Sequence, residues 1–236
     1  MSFGIHHEWD RLREAIVGIG DAPQVDALAA LLEREGVKVR RSAPLFLRDP
    51  LIVVGGQAID ASLRLPARQH ERLEIGRDKT SMPRGSPNGV DGPYLEGGDV
   101  LVNGREIYAG MSGRASDMAG IDCLERLLGA QYRVVPMALR SSVRHLQDVL
   151  ALVRPGLLVM QADTLIDGLP MSLRTWDAIA GSPDLLVLDR ERVIVEARNT
   201  SLARDLRARR MDVIPMPFDR PMRAVVQPLW REAMLE

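Results

Sequence analysis

The chain has 236 residues, 46% hydrophobic and 27% charged, with a net charge of −1; it is long enough for a sizeable core and too evenly charged for the basic footprint of a nucleic-acid binder. No apolar run approaches the roughly 18 residues of a membrane span, and the opening "MSFGIHHEWD" has neither the basic start nor the apolar centre of a signal peptide. A single cysteine, Cys123, excludes an intrachain disulfide framework and a thiolate metal cluster, so the expected setting is the cytoplasm.

In chain order, "EAIVGIG" reads as a first strand, and "PQVDALAALLEREGVKVRRS" as an amphipathic helix that switches to strand character at Val37-Lys38-Val39. "LFLRDPLIVVGGQAI" follows, with Asp49 at a strand entry where Pro50 fixes its direction. "YLEGGDVLVNGREIYAG" then sets Glu96 and Asp99 around Gly97 and Gly98 on what reads as a hairpin. Taken alone it is a tight corner in which glycine serves positive φ angles and the acids are solvated. "AGIDCLERLLGAQYRVVPMA" repeats the helix-then-strand unit, with Cys123 as a buried structural thiol inside the helix pattern. "SVRHLQDVLALVRPGLLV" places His145 and Asp148 one helical turn apart, or near each other in a loop before a strand. "GLLVMQ" and "LLVLDRERVIVEA" are strands, "TSLARDLRARRMDVIPMPF" is a third helix–strand unit, and "RAVVQPLW" reads as a last strand. His6, His7 and His70 lie in polar surroundings without metal-ligand spacing and read as surface residues.

Strands outnumber helices and one unit recurs, which points to a modular α/β architecture in one domain, 1–236. The loops supply carboxylates and one histidine. Paired carboxylates match the five-donor fork of a guanidinium, and a histidine beside them can pass protons to and from an amine. The set lacks a nucleophile.

"EWDRLREAIVG", "FLRDPLIVVGGQAI", "LEGGDVLVNGREIYAGMSGRAS", "RHLQDVLALVRPGLLV" and "RRMDVIPMPF", in this order, resemble the guanidino-group-modifying superfamily of amidinotransferases, arginine deiminases and dimethylarginine dimethylaminohydrolases. The resemblance runs from Glu8 to about Trp230 and implies a five-bladed ββαβ propeller, the pentein fold. It implies that Asp49 and Glu96 bind the guanidinium and that His145 is the general acid/base. Where the family often has His-x-Asp, this chain has Gln147, with Asp148 one residue later; both are candidate substrate contacts, and an amide there would tolerate a substituted or less charged nitrogen. The family's nucleophilic cysteine falls, in "FDRPMRAVVQPLWRE", on Ala224. Either an engineered replacement or natural divergence of this loop accounts for the alanine. The implied activity is that of an amidinotransferase acting on arginine or a related guanidino compound through a covalent cysteine adduct, with this chain inactivated at Ala224. A guanidino hydrolase and a non-catalytic guanidine binder are the alternatives. The expected partner is a small guanidino substrate, with no metal, cofactor, nucleic acid or membrane, and a homodimer is left open.

Overall fold

A computed structural model describes residues 4–20, 23–43, 45–75 and 79–233. The chain builds one small sheet after another by the same device. β1 (Arg11–Gly18) is followed by α1 (Pro23–Arg34), which returns the chain so that β2 (Lys38–Ser42) pairs parallel with β1. α1 forms because Val25, Leu28, Ala29, Leu31 and Leu32 recur at helical spacing and bury one face, while its other face stays polar.

β3 (Leu51–Val54) and β4 (Gln57–Asp60) are an antiparallel hairpin, and β5 (Thr80–Ser81) adds parallel to β4. β6 (Val100–Asn103) and β7 (Glu106–Met111) repeat the hairpin around Gly104, whose φ of 62° only glycine adopts at little cost. α2 (Met118–Leu128) then leads to β8 (Arg133–Ala138), parallel to β7. The Asp117 side chain starts α2 by accepting the Gly120 N–H at 2.9 Å. β9 (Leu150–Arg154), β10 (Leu157–Met160) and β11 (Asp177–Ala180) form the fourth sheet. β12 (Leu185–Val187), β13 (Arg192–Glu196), α3 (Thr200–Ala208) and β14 (Asp212–Met216) form the fifth. After a single helical turn, α4 (Met222–Val225), the chain returns as β15 (Val226–Glu232) and pairs antiparallel with β1. The first blade is thus closed by the last strand.

Each of the five sheets has three strands, the central one antiparallel to one neighbour and parallel to the other. This is the expected five-bladed α/β propeller, with two differences. Among the described residues, the crossovers into β5 and β11 carry only short 3-10 turns (Pro66–Arg68; Ala162–Thr164 and Met171–Leu173) in place of an α-helix. Arg223, Ala224 and Val225, read as strand, lie instead in the helical turn of α4. Buried apolar clusters fill the spaces between blades; one joins Leu101 and Tyr108 to Leu158 and Val195, and another joins Val17 and Leu28 to Ile194 and Phe218. Strands β3, β10 and β12 are buried along their whole length, which is why they read as unbroken apolar runs. Among the described residues, no helix is long and apolar enough to cross a membrane.

Candidate active site

Glu96 enters a 3-10 turn, Gly97–Asp99, that runs directly into β6; the hairpin turn lies further on, at Gly104. Neither Gly97 nor Gly98 has a positive φ. What requires glycine is close approach. A Cβ on Gly97 would lie 2.2 Å from the Arg48 carbonyl oxygen and 2.5 Å from that of Leu51. One on Gly98 would lie 2.9 Å from both Gln147 Nε2 and His145 Cγ, and 3.0 Å from Asp49 Oδ1. The Gly97 N–H donates to the Asp49 carbonyl at 2.8 Å, so the two acid-bearing loops are pinned backbone to backbone. The acids are not solvated: Glu96 and Asp99 are each 1% exposed.

Asp99 joins this turn to the next. Its Oδ1 accepts the Leu146 N–H at 2.8 Å and its Oδ2 accepts the Ser116 hydroxyl at 2.5 Å, while Ser116 Oγ accepts the Glu96 N–H at 3.1 Å. Leu146 opens the 3-10 turn Leu146–Asp148, with His145 just before it and β9 just after. Both readings of this stretch therefore hold: one turn of helix, in a loop before a strand. The Asp148 side chain accepts the His145 N–H at 3.2 Å.

These turns deliver His145, 5% exposed, between carboxylates. Its Nε2 lies 2.8 Å from Glu96 Oε2 and 3.7 Å from Asp49 Oδ1, and its Nδ1 lies 3.9 Å from Asp148 Oδ2. Burial alone would depress the imidazolium, but the Glu96 hydrogen bond and the charges of Asp49, Asp99 and Glu96 outweigh it and carry its pKa up to about 9. Burial pushes Asp99 up to about 7 against the His145 charge and its own hydrogen bonds, and burial likewise raises Asp148. One ligand-type atom each from Asp49, Glu96 and His145 lies within 4.8 Å of the others.

Asp49 is held from a second side. Arg68 Nη1 donates to its Oδ2 at 2.8 Å, and the same guanidinium grips Glu71 with two bonds of 2.8 Å. Asp49 Oδ1 is buried and has no hydrogen-bond partner. Neither side-chain polar atom of Gln147, itself 3% exposed, has one either. The Gln147 backbone carbonyl is taken by Arg223.

A cavity of about 320 Å³ opens over these groups, walled by Phe46, Asp49, Leu65, Arg68, Arg144, His145, Asp148, Pro221 and Ala224. Ala224 is fixed by its carbonyl, which accepts the N–H groups of Leu47 at 3.0 Å and Arg48 at 3.3 Å, two residues and one residue before Asp49. Phe46 and Leu65, each more than 40% exposed, give the cavity an apolar flank. Of the sequence candidates, Asp49, His145, Asp148 and Ala224 line the cavity, while Glu96 stands behind His145 and Gln147 beside Gly98.

Sequence reasoning missed Arg68, Glu71 and Ser116, and left Asp99 out of the site. Of these only Arg68 and Glu71, three residues apart in "ARQHE", carry a local signal. Cys123 is buried on α2, as expected. His6 and His70 are exposed, but His7 is not a plain surface residue: it stacks on Trp9 at 4.7 Å between ring centroids and pairs with Asp10 at 3.3 Å.

No family model matches the chain. An inosamine-phosphate amidinotransferase (number 2, so named) of Streptomyces griseus is 27% identical, with 90% of each chain covered. Among solved structures, an inosamine-phosphate amidinotransferase from Streptomyces griseus superposes with a TM-score of 0.86 at 22% identity, covering 100% of this chain and 99% of that one. A dimethylarginine dimethylaminohydrolase from Pseudomonas aeruginosa, a cysteine-to-serine mutant complexed with citrulline, gives a TM-score of 0.75 at 15% identity, covering 92% and 99%. Five three-stranded blades and similarity over nearly the whole chain give this protein the fold of these guanidino-group-modifying enzymes, and its sequence is similar to that of an amidinotransferase.

Proposed function

We propose that the 320 Å³ cavity binds the guanidinium of arginine or a related compound, and that the chemistry this site is built for is amidino transfer through a thiol at position 224. The carrying observation is that the unpartnered Oδ1 of Asp49 and the imidazole of His145 stand on one cavity whose wall includes Ala224. A buried carboxylate oxygen without a donor is costly, and a guanidinium N–H satisfies it. The Gln147 amide, also unpartnered, offers an acceptor to a charged nitrogen and a donor to an uncharged oxygen. Glu96 holds the imidazole through Nε2. Asp148 supplies further negative charge to the cationic substrate.

With a thiolate at 224, sulfur attacks the guanidinium carbon and the C–N bond to the departing amine breaks. His145 gives that amine its proton, which leaves an amidino group on sulfur. An incoming amine then attacks the same carbon, returns a proton to His145 and carries the amidino group away. No step needs a metal. Alanine keeps the binding groups and lacks the attacking atom, so this chain binds without turnover. The mutant neighbour lacking its cysteine, complexed with citrulline, is in keeping with that separation. Transfer is favoured over hydrolysis because the full-length similarity in sequence is to an amidinotransferase.

Calorimetry of this chain with arginine, together with mass spectrometry and amine-acceptor assays of the Ala224→Cys form, tests the reading. Binding by the native chain, with an adduct and transfer in the cysteine form, is expected. Binding with neither adduct nor turnover in the cysteine form makes the protein a guanidine binder. Release of product with water as the sole acceptor makes it a hydrolase.

A further inference from the structure

The short 3-10 turn Pro66–Arg68, in the crossover into β5, brings one of the chain's own guanidinium groups onto Asp49. The Arg68 N–H closes the turn by donating to the Leu65 carbonyl at 2.8 Å, and the Glu71 N–H extends it by donating to the Arg68 carbonyl at 2.9 Å. The Gln69 side chain ties the turn to the Ser86 carbonyl at 3.0 Å. Arg68 and Glu71 are thereby set three residues apart on one fixed loop.

Three charged side chains, all largely buried, then meet in a row. On one edge of the Arg68 guanidinium, Nε donates to Glu71 Oε1 and Nη2 to Glu71 Oε2, both at 2.8 Å, the two-bond fork that suits a carboxylate. At the other end, Nη1 donates to Asp49 Oδ2 at 2.8 Å. Both oxygens of Glu71 are therefore engaged, but only one of Asp49, whose Oδ1 stays buried and unpartnered.

That asymmetry has a chemical use. Arg68 alone would orient Asp49, but it would also offset the negative charge that a cationic substrate needs. Glu71 restores it. Two carboxylates against one guanidinium leave the row with a surplus negative charge, and the oxygen free to use it is Asp49 Oδ1.

We propose that Arg68 and Glu71 are positioning residues that set the charge selectivity of the guanidinium site. Arg68 fixes the Asp49 carboxylate with Oδ1 free, and Glu71 offsets the charge that Arg68 brings. The site thereby prefers a guanidinium to an uncharged ureido group of the same shape, the class that hydrolysis of a guanidino compound yields. This inference rests on the reading of Asp49 as a guanidinium contact and adds what makes that contact selective. A row that served only to staple the loop would hold the site equally for both ligands.

Calorimetry at neutral pH with arginine, and with citrulline as its uncharged counterpart measured by displacement of arginine, tests the proposal. The readout is the ratio of the citrulline Kd to the arginine Kd, in which a general loosening of the site cancels. In Glu71→Gln, which keeps an acceptor for Arg68 and loses the charge, the ratio should fall on the order of tenfold, the effect of one unit charge at roughly 10 Å in a medium of dielectric about 20. It should rise in Arg68→Met and return close to the native value when Arg68→Met is combined with Glu71→Met. Arg72 and Lys79, both paired with Asp60, and His145, beside Asp49, also act on the site but are the same in every form compared. Arginine and citrulline Kd values that move together in Glu71→Gln overturn the proposal and leave the guanidinium reading standing. A native chain that binds no arginine overturns both. If Glu71→Gln does not fold, the ratio in Arg68→Met decides, and an unchanged value overturns the proposal.

Discussion

His145 shows how one side chain can set the pH response of the whole protein. Its pKa in the fold is near 9, above the ordinary value of 6.5, so its carboxylate partners stabilise the fold only while it is protonated. That contribution is complete below pH 6.5 and disappears as pH rises through 9. Asp99, raised by burial from 3.8 to about 7, loses its own contribution as pH rises between those two values, which leaves the window from 7 to 9 to His145. Denaturant unfolding across that window should show falling stability in the native chain and a flatter profile in His145→Gln. Arginine affinity should move the other way: calorimetry should find tighter binding above pH 9 than at 7, because the imidazolium repels the incoming cation until it loses its charge. Arg68 sets a second expectation. Removing it in Arg68→Met leaves the Asp49 and Glu71 carboxylates without their shared cation and should lower stability by about 3 kcal/mol. Arg68→Lys keeps the charge, loses the two-bond grip on Glu71, and should cost less by the same measurement.

At the scale of elements, two short turns packed against each other hold the site, and Asp99 is the link. Asp99→Ala orphans the Leu146 N–H and the Ser116 hydroxyl, at about 1–3 kcal/mol for each buried group left unpaired. Asp99→Asn keeps an acceptor for Leu146 and should be far milder in denaturant unfolding. Since Leu146 follows His145, the alanine form should also lose guanidine binding measured by calorimetry. Gly97→Ala forces a methyl into two backbone carbonyls, and a loss of at least 1–3 kcal/mol is expected. The acid-bearing motifs were legible in the sequence because each is a run of adjacent residues: Arg48-Asp49-Pro50, Glu96 to Asp99, His145 to Asp148. Arg68 and Ser116 were not, because their partners lie 19 and 17 residues away and loop-to-loop contacts have no period. The reason for Gly97 and Gly98 was also hidden. Sequence suggests positive φ angles, whereas the constraint is a neighbouring loop that only the fold brings near.

For the whole molecule, the three helix–strand units announced a repeat, since α1, α2 and α3 each bury one apolar stripe before a β-branched strand. The crossovers into β5 and β11 carry no such stripe, so two of the five blades were visible only as strands. α4 reads as strand because its single turn shares the apolar run of β15; tertiary bonds from Leu47 and Arg48 decide its conformation. The pairing of β15 with β1 also has a consequence in the order of biosynthesis. As the polypeptide leaves the ribosome, β1 can find β2 at once, but its other edge has no partner until the final strand has been made. An unpaired edge is a template for wrong pairing. That edge of β1 therefore stays open to a neighbouring chain until β15 has been made. Stalled chains that end before Val226 should be protease-sensitive and self-associating, and those carrying β15 clear of the exit tunnel should be resistant.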